Sequence, residues 1–129
     1  MKEKVEKWYR SIPEHEKDLY ILELDGKYYT PNDIYREVMN DTELGKRLQE
    51  ELERLSLGNT FTYEDMRKLM KIAEMNVYKI VEMLPKDFSI ASYGGVIVKR
   101  EAIPKVLGKE AMQYELERII ENIRRFRHG

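Results

Sequence analysis

The stretch Thr60–Arg100, TFTYEDMRKLMKIAEMNVYKIVEMLPKDFSIASYGGVIVKR, decides how this chain is read. Thr62 suits the N-cap of a helix beginning at Tyr63, and Pro85 stops the helical pattern after Leu84. Beyond it, Phe88–Ser92 and Val96–Lys99 flank Gly94-Gly95, whose freedom at positive φ suits a two-residue hairpin turn. Between cap and proline the pattern has two solutions. The apolar residues Met66, Met70, Ile72, Val77 and Ile80 step by four, two, five and three. Steps of four and three stay on one helical face, so the two followed by five predicts a break, with a turn near Lys71–Glu74 between two helices. The other solution is a single straight helix over 63–84. It places Met66, Leu69, Met70, Ala73, Val77, Ile80, Val81 and Leu84 on one stripe and leaves Ile72 and Met75 off it.

Working outward, Glu3–Arg10 reads as a short helix with Val5, Trp8 and Tyr9 on one face, ended by Pro13. Asp25-Gly26 before Lys-Tyr-Tyr signals a hairpin. Thr30-Pro31-Asn32-Asp33 is a helix start with an N-cap, a proline in the first turn and an acid where the helix dipole favours it. A second start at Asp41-Thr42-Glu43 leads a stripe of Leu44, Leu48, Leu52 and Leu55, closed by Gly58. A last helix runs from about Lys109 to Arg127. Its Met112, Leu116, Ile119, Ile123 and Phe126 step by four, three, four and three, the spacing of a coiled-coil seam.

Composition narrows the function classes. A 129-residue chain that is 42% apolar and 36% charged is long enough for one good core and is not disordered by composition. No apolar run approaches the roughly 20 residues of a membrane span, so no membrane partner is expected and a cytoplasmic setting is the simplest expectation. Abundant Lys, Glu, Arg and Ile beside two Gln and no Cys is a thermophile-like composition. Without cysteine there is no thiolate metal site and no thiol nucleophile. With His15 and His128 as its two histidines and no glycine-rich phosphate loop, the chain offers no catalytic residues, metal ligands or cofactor site. A non-enzymatic function is expected. The net charge of −1 is unevenly spread: residues 1–59 carry ten basic and fourteen acidic groups, residues 60–106 eight and six, and residues 107–129 five and four.

The order helix, strand, helix, turn, helix, strand, wing, strand over residues 41–100 resembles the winged helix-turn-helix superfamily of DNA-binding domains. The resemblance implies an α+β, predominantly helical fold. A winged helix-turn-helix domain would occupy residues 41–104, with an N-terminal β-hairpin and helix extension at 1–40 and a C-terminal dimerisation helix at 105–129. It implies a small transcriptional regulator that reads duplex DNA with a recognition helix near 74–84 and a wing near 88–100. Asn76, Tyr78 and Lys79 would then face the bases, and Tyr93, Lys99 and Arg100 would meet the backbone or minor groove. The partners expected are duplex DNA and a second copy, paired through Met112, Leu116, Ile119, Ile123 and Phe126. The alternative is a protein-interaction adaptor that docks a protein partner on a winged-helix or helical-bundle surface. Glu74 and Glu82 on the recognition helix and the near-neutral charge favour it, and Met66, Met70, Met75 and Met83 are candidates to line an adaptable groove.

Overall fold

Threonines start the three central helices of this chain, as local chemistry predicts. The computed structural model describes residues 2–58, 60–91 and 94–128. It opens with α1 (Lys2–Ser11), a 3-10 turn (Glu14–Glu16) and an antiparallel hairpin of β1 (Leu22–Leu24) and β2 (Lys27–Tyr29). The hairpin turns at Asp25-Gly26, with φ of 53° and 81°. Thr30 then caps α2 (Pro31–Met39) through a reciprocal box. The Asp33 amide donates to Thr30 Oγ1 at 3.1 Å, and the Thr30 amide donates to the Asp33 carboxylate at 3.0 Å. Thr42 caps α3 (Glu43–Leu57) by accepting from the Gly45 amide at 2.9 Å. Gly45 is a glycine because α2 and α3 touch there: a Cβ would lie 2.4 Å from the Glu37 carbonyl oxygen.

The decisive element is α4 (Tyr63–Met83), 21 residues without interruption. Thr62 and Asp65 form the same reciprocal box at its start, and Arg54 of α3 donates to Asp65 at 2.8 Å. Leu84 is already extended before Pro85. This corrects the helix-turn-helix expectation, because no turn forms at Lys71–Glu74. The physical reason lies in the residues: Lys, Ala and Glu are strong helix formers, no Gly or Pro intervenes, and Lys71 pairs with Glu74 one turn on at 3.7 Å. Beyond the capping Asp65, the buried face consists of Leu69, Ile72, Ala73, Asn76, Val77 and Val81, while Met70 is exposed. The straight helix is therefore turned slightly from the stripe expected, bringing Ile72 inward and carrying Met70 outward.

After α4 come β3 (Ser89–Ala91) and β4 (Ile97–Lys99), antiparallel with Ile90 opposite Val98, and Gly94 and Gly95 at φ of 88° and 80°. A 3-10 turn (Arg100–Ala102), the short α5 (Ile103–Val106) and α6 (Gly108–His128) complete the chain. The fold is α+β and mostly helical, with two small sheets.

The main core draws on every part of the sequence: Val5 and Trp8 of α1, Ile34 of α2, Leu48 and Leu52 of α3, Ile72 of α4, and Ile119, Ile123 and Phe126 of α6. Residues from the segments 1–40, 41–104 and 105–129 thus share one core. A small second core of Val81, Val98 and Ile103 seats the β3–β4 hairpin and α5 on the end of α4. The coiled-coil seam of α6 is taken up internally, so the residues expected to pair two copies pack within the chain instead. Ile119, Ile123 and Phe126 are fully buried against the chain's own helices, and Leu116 packs at the edge of the same core. Trp8 seals the junction, its indole N–H donating to the Asn122 carbonyl at 2.8 Å while its ring meets Phe126 edge-on.

Candidate interaction surface

The residues expected to read DNA do not form a common face. Asn76 is fully buried, and its side chain clamps the strand-entry residue Tyr20: the amide nitrogen donates to the Tyr20 carbonyl at 2.8 Å, and the Tyr20 amide donates back to Oδ1 at 2.8 Å. Lys79 lies over the Tyr20 ring at 4.5 Å and donates to the Asp18 carbonyl. Arg100 donates to the Val81 and Glu82 carbonyls at 2.8 and 3.3 Å, satisfying the open C-terminal end of α4. Tyr78 and Lys99 are exposed, and Tyr93 lies outside the described residues. Successive helical residues are about 100° apart, so on an unbroken α4 a single surface does not collect Asn76, Tyr78 and Lys79. Asn76 and Arg100 serve the fold.

Two clefts flank the line where α6 passes α4. The helices run in opposite directions: Phe61, just before α4, meets Arg124 late in α6, whereas Ile80 and Met83 line a cleft with Tyr114. That first cleft, about 410 Å³, mixes apolar side chains such as Leu19, Ile80 and Met83 with charged ones. At its floor Arg118 donates two nitrogens to the buried Glu115 carboxylate and a third to Glu16 at 2.9 Å, and Asn122 donates to the same Glu16 oxygen at 3.0 Å. Burial alone would raise the Glu16 pKa, but the hydrogen bonds from Arg118 and Asn122 outweigh it and hold the carboxyl below its ordinary range. The network fastens the Glu14–Glu16 turn to α6 through two bonds to one Glu16 oxygen. Among the described residues, no three His, Cys, Asp or Glu side chains are arranged to hold a metal ion.

The second cleft is apolar and open. Two adjoining hollows of about 590 and 310 Å³ share Met70 and Met112 and make one groove. Met66, Met70 and Ala73 form the α4 wall, and Met112 and Leu116 form the α6 wall. Tyr63 stands at one end, 86% exposed, and Met70 is 47% exposed. Along α4 the groove runs from residue 63 to 74, about 16 Å at 1.5 Å per residue. Arg67 and Lys71 edge the α4 side and Lys109 the α6 side, with Glu74 as the one lining carboxylate. The sequence signal for this groove was the methionine spacing at Met66 and Met70. Met75 does not line the groove, Met83 belongs to the first cleft, and Met112, assigned to a dimer seam, is the groove's far wall. Comparison with known proteins yields no matching family model, no matching curated protein and no matching solved structure.

Proposed function

We propose that this chain is a protein-interaction adaptor that takes a partner segment into the groove between α4 and α6. The observation that carries this reading is the strip of Tyr63, Met66, Met70 and Met112, with Tyr63 and Met70 exposed and Met66 and Met112 partly so, on a surface otherwise rich in paired charges. Methionine is flexible and polarisable, so such a strip conforms to a partner's side chains more readily than branched residues do. Exposed apolar strips with polar edges are characteristic of docking sites. The residues a DNA reader needs are instead spent inside the fold, Asn76 on Tyr20 and Arg100 on the end of α4.

The test is selection of peptides from a displayed library on the immobilised chain, with a Met70→Glu, Met112→Glu variant as the counter-target. Enriched peptides should bind the parent and lose the variant. A library yielding no peptide sensitive to these substitutions would overturn the reading.

Duplex DNA is the second reading, favoured by one observation. The hairpin face carries Lys99 outward beside Ile97, with Lys86 and Lys105 exposed on neighbouring segments. Such a surface would grip phosphates without reading sequence, so binding would be weak and steeply salt-dependent. Titration of labelled random duplex at ~50 mM salt tests it, and no binding there removes it.

A further inference from the structure

We infer that the partner segment is an amphipathic helix whose apolar stripe is flanked by carboxylates. This rests on the adaptor reading of the groove and adds the partner's chemistry. The length argues for a helix: a groove bounded by residues 63 and 74 of α4 accommodates about three helical turns, and apolar anchors at i, i+4 and i+7 span about 10 Å of it. The two long walls are side chains of the helices α4 and α6, and the strand β2 adds a single side chain, Tyr28, so most of the groove offers side chains and not backbone to a partner. Helix packing through side chains is what remains.

The charge argues for the flanks. Cations stand on both walls, Arg67 and Lys71 on α4 and Lys109 on α6. Against them the lining offers Glu74, which faces Lys71 at 3.7 Å, and Arg67 also holds Glu64 at 2.6 Å beside the groove. Those carboxylates temper the basic edge and do not reverse it. All of these side chains are exposed, so each contact with a partner carboxylate is weak on its own. Three together correspond to roughly a tenfold preference at low salt, shrinking as salt screens them.

The test uses three synthetic helical peptides with one shared apolar stripe and flanks of Glu, Gln or Lys. Each is titrated into the full chain carrying ¹³C-methyl methionine, at ~50 mM and ~500 mM salt. The Glu-flanked peptide should shift the Met66, Met70 and Met112 methyl signals and bind about tenfold tighter than the Lys-flanked one at low salt. The Arg67→Glu, Lys71→Glu variant changes only exposed side chains and should exchange that order. Equal binding of all three, or preference for Lys flanks in the parent, overturns the acidic-flank inference while leaving the groove as a docking site. If none of the three binds although library-selected peptides do, the helical partner is wrong. If neither binds, the adaptor reading falls with it.

Discussion

Replacing Asn76 tests the architecture more sharply than any other single change. Its side chain is fully buried and makes two 2.8 Å hydrogen bonds to the backbone of Tyr20. Asn76→Ala removes both partners at once and leaves the Tyr20 N–H and carbonyl unpaired. Each net hydrogen bond contributes about 1 kcal/mol, and an unsatisfied group costs about 1–3 kcal/mol when fully buried. Tyr20 is only partly buried, so water recovers some of that loss, and the expected destabilisation is about 2–3 kcal/mol. Urea unfolding followed by the fluorescence of Trp8, the one tryptophan, would report it. At a slope of roughly 1–3 kcal/mol/M the midpoint should fall by about 0.7–3 M with the slope unchanged. Were Asn76 instead a surface residue of a recognition helix, the same substitution would be neutral. A change of less than about 0.5 kcal/mol would therefore refute both the clamp and the unbroken α4 that aims it.

Gly45→Ala should destabilise by about 2 kcal/mol or more and lower the thermal midpoint, because the new methyl would press on the Glu37 carbonyl oxygen 2.4 Å away. A stabilised variant, as helix propensity alone predicts, would disprove the close α2–α3 contact. Ile119→Glu with Ile123→Glu should unfold the chain, since both side chains are fully buried in its own core; a folded, monomeric variant by circular dichroism and gel filtration would contradict the packing. Stability should fall in acid. Asp65 is held below its ordinary pKa first by the Arg54 hydrogen bonds, and Glu16 is held low despite its burial by Arg118 and Asn122. Below pH ~4 the unfolded chain, with ordinary carboxylates, binds more protons than the native one, so stability rises with pH across that range and is lost on descending through the folded values. Denaturant titrations from pH 6 to 3 should show the fall, and Asp65→Asn should flatten it.

What was legible in the sequence is what neighbouring residues decide among themselves. The threonine caps at Thr30, Thr42 and Thr62, the stop at Pro85 and the turns at Asp25-Gly26 and Gly94-Gly95 are all where local chemistry predicts them. The phase of α4 was harder to read because its core includes a polar residue, Asn76, and its surface includes an apolar one, Met70. Counting apolar spacing therefore suggested a break where a slight rotation of one helix suffices. The α6 pattern identified the buried stripe through Ile119, Ile123 and Phe126 but carried no information about what buries it. The groove was the least legible feature, since its walls come from residues about forty positions apart and neither wall is unusual alone.

The bond from the Trp8 indole to the Asn122 carbonyl joins residues 114 apart in the chain. Its consequence concerns the order in which the molecule can assemble. Ends so distant must be brought together against loop-closure entropy before Phe126 can fill the slot beside Trp8. Until then the parts of α3 and α4 that α6 covers stay open, although α2 and β1 already pack on the rest of the core. Docking of α6 thus completes the shared core, and contacts of such high sequence separation should slow folding relative to a bundle of nearest neighbours. The solitary indole sits at the junction where this closure is completed.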